Sequence, residues 1–119
     1  MKRFSLSKNE RLRLTKDFER VFREGKMLQN EFFTVIFAKN NLGYSRLGII
    51  VKKKFGKAHD RNKVKRWIRE IFRHHKVNFK EGYDVLVIPR KTLSVEFHNV
   101  DFHRIKDSLI PLFEEMEKS

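Results

Sequence analysis

The segment from Arg61 to His75, RNKVKRWIREIFRHH, sets the tightest limit on how this chain can fold. At about 100° per residue, Val64, Trp67, Ile68, Ile71 and Phe72 fall on one arc. A helix with such an arc must dock it, here on a sheet. Asn62, Lys65, Arg66, Arg69 and Arg73 fall on an adjoining arc about 100° wide. Arg61 sits at the border between the two, and Lys63 and Glu70 lie on the far side. Arg61, Lys65, Arg69 and Arg73 make an i, i+4 ladder of four cations with no acid in it. Solvated helices usually alternate sign at this spacing for a few tenths of a kcal/mol per pair. A like-charge ladder is unfavourable alone and becomes favourable against a phosphate backbone.

The charge is local. Eleven of the 28 Lys and Arg lie between residues 52 and 76, where only Asp60 and Glu70 oppose them, so that segment carries +9 of the net +13. Self-repulsion of this size calls for a polyanionic partner. Nucleic acid comes first and an anionic membrane surface second. The N-terminus of the basic helix attracts anions through its free N–H groups and dipole. Gly56 precedes it, Lys52, Lys53, Lys54 and Lys57 flank it, and His59 or Asp60 is the expected cap.

The remaining elements follow from period and punctuation. Residues 1–14 read as an extended basic arm. Thr15 as N-cap, Asp17 in the first turn and Gly25 at C′ bound a short helix with Phe18, Val21 and Phe22 on one face. Phe32–Ala38 is a strand. Asn40–Ser45 is a turn, and Arg46–Lys54 contains a second strand that reads as its antiparallel partner. Tyr83–Ile88, almost wholly apolar, suits a central strand ended by Pro89. Asp101–Glu117 is a last helix, with Pro111 expected to kink or break it. There is room for a further short strand near Lys26–Gln29. The order is α-β-β-α-β-α in an α+β fold, an α/β sandwich with helices on one mixed sheet, and 119 residues suit one domain.

Several functions are disfavoured. The chain has no Cys, which removes disulfides and thiolate metal sites and suits a reducing, cytoplasmic setting. The N-terminus lacks the apolar core of a secretory signal, and no run approaches the roughly 18 apolar residues of a membrane span. His74 and His75 are adjacent and cannot share a metal as i, i+4 residues could. Asp60, Glu70, Asp84 and Glu96 are scattered among cations rather than converging on two metals. No catalytic residue and no protein-held metal are expected.

Four blocks resemble the bacterial ribonuclease P protein family. Lys54–Ala58 followed by Arg61, Asn62, Lys65, Arg66, Arg69 and Glu70 resembles its arginine-rich signature. Leu14–Gly25 resembles its first helix, Ser45–Ala58 the strand leading into the signature, and Tyr83–Lys91 its last strand. The resemblance implies a left-handed βαβ crossover, which ordinary handedness statistics do not suggest. It also implies a ribonucleoprotein that removes the 5′ leader of precursor tRNA, the RNA carrying the chemistry and most of the magnesium, with no organic cofactor. The implied partners are ribonuclease P RNA and precursor tRNA, with no membrane and no obligate protein partner.

By position, Lys54, Arg61, Asn62, Lys65, Arg66, Arg69 and Arg73 would contact the catalytic RNA. Phe18, Phe22, Lys52, Lys53, Lys57, Arg90 and Lys91 would line a leader cleft between the first helix and the sheet, Lys52 as a phosphate contact. Two Phe at i, i+4 are more often core than platform, but one ring can do both by offering a face to bases. The rival readings are a ribosomal-type RNA-binding protein without a leader cleft, an autonomous metal-dependent nuclease, and a DNA-binding helix-turn-helix. Strands on both sides of the basic helix argue against the last.

Overall fold

The computed structural model describes residues 10–76 and 79–118; the first nine residues of the expected arm lie outside them. The elements are α1 (Thr15–Glu24), β1 (Lys26–Gln29), β2 (Phe33–Lys39), β3 (Arg46–Ile49), α2 (Ala58–His75), β4 (Tyr83–Pro89), α3 (Lys91–Glu96) and α4 (Phe102–Lys118). The strands form one sheet in the order β1-β2-β4-β3, antiparallel except for the parallel pair β3–β4. β3, α2 and β4 are therefore a βαβ unit.

This order corrects the expected pairing of β2 with β3, because β4 lies between them. The reason is burial. β4 is buried on both faces along nearly its whole length, so its backbone is best satisfied by a neighbour on each edge. The short strand near Lys26 is present and pairs with β2.

Strand alternation divides the core. Phe33, Val35, Phe37, Leu47, Tyr83, Val85 and Val87 join α2, α3 and α4 in the larger cluster. Ile36 and Leu86 project to the opposite face and pack with Leu12 and Val21. One face thus carries three helices, and the other carries α1 and the end of the N-terminal arm. The arm is fixed at β3's outer edge: Arg11 bridges Leu47, and the Leu12 N–H donates to the Leu47 carbonyl at 2.9 Å.

Helix ends differ from the expected chemistry. Leu14, not Thr15, occupies the N-cap position of α1, and no side chain caps it. Gly25 is extended rather than left-handed; it is required by close approach, since a Cβ there would collide with the carbonyls of Val21 and Phe37. α2 starts at Ala58 after Lys57, which places His59 and Asp60 inside its first turn. α3 was not expected. α4 runs unbroken through Pro111. In the turn where the proline interrupts the ladder, the Asn30 side-chain amide donates to the Ser108 carbonyl at 2.7 Å.

Trp67 does not dock on the sheet as its arc suggested. It is half-buried against Phe97 and Phe102, with ring centroids 5.6 and 6.0 Å away, and Lys63 lies 5.0 Å over its ring. Val64, Ile68, Ile71 and Phe72 provide the buried anchor.

Candidate nucleic-acid interface

That anchor fixes which side of α2 faces out. Asn62 and Arg66 are exposed, and Lys65 and Arg69 are half-exposed. Among the described residues, no carboxylate lies within ion-pair distance of Lys65, Arg66 or Arg69. Burial, followed by the charge of Arg11, pushes the Arg69 guanidinium below its ordinary value. Like charges crowded in this way destabilise the free protein and favour an anion.

Arg61 turns back to donate from Nε to the Gly56 carbonyl at 3.1 Å. It braces the segment that carries Lys52, Lys53, Lys54 and Lys57, all exposed. Arg73 lies half-buried further along the helix. Asp60, the acid in the first turn, is turned toward His98, with Nε2 to Oδ2 at 2.9 Å.

On the opposite face of the sheet, α1 covers only part of the surface. The register places Met27, Ile36, Leu86 and Gly48 in one cross-strand row and Gln29, Thr34 and Ile88 in the next. Ile50 extends the second row, its N–H donating to the Val87 carbonyl at 3.1 Å. Phe18 lies over Gly48 and Leu86: a Cβ on Gly48 would come within 2.9 Å of the ring and 2.8 Å of Leu86 Cδ2. Glycine therefore lets the ring settle onto the sheet. Phe18, Ile50 and Ile88 remain partly exposed, and Phe22 is 51% exposed. The result is an apolar, half-open floor beside two rings.

β3 and β4 are parallel, so both deliver basic residues to the same end of this floor. Lys52 follows β3 and Arg90 follows β4. Arg90 donates to the Asn30 carbonyl at 2.6 Å, which orients it. Lys91 begins α3 and is exposed.

A buried ion cluster positions α1. Asp84 is fully buried on β4. Arg46 grips it from Nε and a terminal nitrogen at 2.8 and 2.7 Å. Asn40 donates to it at 2.8 Å, and Arg20 of α1 also bonds it. Burial pushes the Asp84 carboxyl up. The hydrogen bonds from Arg46 and Asn40, with the charges of Arg46 and Arg20, outweigh that and hold it below the usual carboxylate range. Asp17 adds a contact to Arg46 at 3.6 Å. One side of α1 is therefore tied to the sheet by charge, leaving Phe18 and Phe22 to border the open floor.

Sequence reasoning missed this cluster, whose signal was the single acid in an otherwise apolar strand. It also did not single out Arg11 and Arg13, which line one recess with Lys65 and Arg69, although Arg11–Leu14 alternates charge and Leu with the period of a strand. Among the described residues, no helix is long and apolar enough to cross a membrane, and no three His, Asp or Glu side chains group as a metal site.

This arrangement has close counterparts. The profile of the family described as Ribonuclease P matches residues 6–117. The ribonuclease P protein component of Thermotoga maritima is 57% identical over 113 residues, covering 95% of this chain and 97% of that protein. The Petrotoga mobilis ribonuclease P protein component is 42% identical, covering 95% and 96%. Among solved structures, the RNase P protein from Thermotoga maritima superposes with a TM-score of 0.81 at 59% identity, covering 87% of this chain and 94% of that one. The Staphylococcus aureus RNase P protein gives 0.80 at 33% identity, covering 90% and 94%. With the cation-bearing helix, the aromatic-edged sheet face and the sequence matching relatives along nearly its full length, the chain belongs to the ribonuclease P protein family.

Proposed function

We propose that the outward face of α2 grips the catalytic RNA of ribonuclease P while the half-open floor beside α1 takes the 5′ leader of precursor tRNA. As a member of this family, the chain is a subunit of the ribonucleoprotein endoribonuclease that matures tRNA 5′ ends. Its partners are the ribonuclease P RNA and the precursor. The roles of individual side chains are our assignment: Lys54, Arg61, Asn62, Lys65, Arg66, Arg69 and Arg73 toward the catalytic RNA, and Phe18, Phe22, Lys52, Lys53, Lys57, Arg90 and Lys91 toward the leader. We assign magnesium mainly to the RNA, and the complex to the cytoplasm.

The observation that carries this reading is the pairing of two surfaces. A buried apolar arc holds Lys65, Arg66 and Arg69 outward, and among the described residues none of the three has a carboxylate within ion-pair distance. Across the sheet lies an apolar floor with two rings at its border. The first suits phosphates, and the second suits unstacked bases, whose contact with an aromatic ring contributes about 1–3 kcal/mol.

Reconstitution with a ribonuclease P RNA at low magnesium tests it. Leader removal should rise on adding the protein, and the complex should bind precursor more tightly than mature tRNA. Equal affinity for the two would reduce the protein to a general RNA-binding module. Cleavage by rigorously RNA-free protein would overturn the assignment of the chemistry to the RNA.

A further inference from the structure

The end of the N-terminal arm and the middle of α2 enclose a third basic feature, which shares Lys65 and Arg69 with the outward face and Phe18 with the leader floor. Arg11, Arg13, Lys65 and Arg69 line one concave site of about 180 Å³, with Phe18 and Ile49 in its wall. Among the described residues, none of the four cations has a carboxylate within ion-pair distance. The site is built by folding, not by a floppy tail. Arg11 is bridged to Leu47, and Leu12 is buried with its N–H on the Leu47 carbonyl, so Arg11 and Arg13 are held on either side of a fixed residue.

The backbone contributes as well. In β3, the even-numbered residues turn their N–H groups toward β4, as the Ile50 bond to Val87 shows. Odd-numbered residues point to the outer edge. Leu47 meets the arm there. The next outward N–H is that of Ile49, which lies in the wall of the recess. An edge N–H beside four cations is a concave anion receptor, in the manner of backbone nests that hold phosphates.

We infer that this recess holds one RNA phosphate, clasped between the arm's Arg11 and Arg13 and α2's Lys65 and Arg69, with its nucleotide against the Phe18 ring. The inference rests on the RNA-binding reading above and extends it to two arginines of the arm. Because Phe18 also borders the leader floor, the recess is a junction between the two RNA surfaces. The ligand is a phosphodiester, from either the catalytic RNA or the leader.

A double-mutant cycle between Arg13→Ala and Arg69→Ala tests whether one phosphate is shared. The first arm measures binding of the full protein to ribonuclease P RNA. The second measures precursor and mature tRNA binding by the assembled holoenzyme at saturating protein. Each single variant should weaken binding about tenfold in the relevant arm, as expected for a charge-assisted contact. The double variant should depart from the hundredfold product by threefold or more. Arg13→Lys should restore most of the affinity, and melting of the free Arg13→Ala protein should be unchanged because Arg13 is exposed.

Coupling in the first arm places the phosphate on the catalytic RNA. Coupling only with precursor tRNA places it on the leader. Multiplicative losses, or none from Arg13→Ala in either arm, overturn the shared recess. In that event, a preserved preference for precursor over mature tRNA leaves the broader functional reading standing.

Discussion

Phe18 rests on Gly48, and the ring occupies the volume a β-carbon at that position would need. The first helix and the third strand are therefore matched at one point, beside the floor we assign to the leader. Gly48→Ala should destabilise the fold by about 1–3 kcal/mol, the usual cost of forcing extra carbon into a packed site. It should also displace the ring and weaken precursor binding. Thermal melts and leader-dependent affinity check this, and the penalty should shrink in a Phe18→Leu background.

The two rings of α1 should separate by variant. Phe22 is half-exposed, whereas Phe18 packs into the smaller core cluster. Phe22→Ala should lower affinity for leader-bearing tRNA by about 1–3 kcal/mol per lost base stack while leaving the melting temperature nearly unchanged. Phe18→Ala should lower both. A Phe22→Ala protein with full leader affinity would remove that residue from the site.

Asp84 predicts both a stability loss and a pH profile. Removing it leaves Arg46 and Arg20 gathered around an empty position, a change that costs about 3–5 kcal/mol when a buried pair is broken from one side. The folded carboxyl titrates below its unfolded value. Its contribution is thus complete above the unfolded pKa, about 3.9, and disappears as pH falls through the lower folded value. Melting from neutral to acid pH should show that loss in the wild type, and a flatter acid limb in Asp84→Asn.

Arg66→Ala combined with Arg69→Ala should weaken assembly with the catalytic RNA while leaving folding nearly intact. Neither guanidinium has an ion-pair partner to lose among the described residues. The wild-type affinity should fall steeply with salt. By the duplex-DNA rule, six to ten phosphate contacts cost roughly 10³–10⁵ between 50 and 200 mM. The double variant should show a shallower slope. An unchanged slope would count against the face of α2 as a phosphate-binding surface.

What could be read from the sequence was whatever repeats at a short period. The arc Val64–Ile68–Ile71–Phe72 located the basic helix and its outward side, and the unbroken apolar run of β4 identified the central strand. Pairing was less legible. β2 and β3 are neighbours in sequence, and nothing local to either shows that a strand more than thirty residues downstream will separate them. Trp67 was misplaced because a helical wheel gives an angle and not the object met at that angle; α3 and the turn after it supply that object through Phe97. Arg11 and Arg13 were overlooked because their value depends on Leu12 being buried against β3. The site is thus legible where one element suffices and obscure where two distant segments must meet.

The placement of β4 has a consequence for biosynthesis. A ribosome delivers the chain from its N-terminus, so α1, three strands and the entire cationic helix emerge before the strand that joins them. Until Tyr83–Pro89 appears, β3 lacks the strand that joins it to the sheet and α2 has no completed surface to lie on. The nascent polypeptide therefore presents its most positive segment while its architecture is still open, and closure awaits contacts of long sequence separation, the slow kind in folding. That segment's charge is complete before the tertiary structure is.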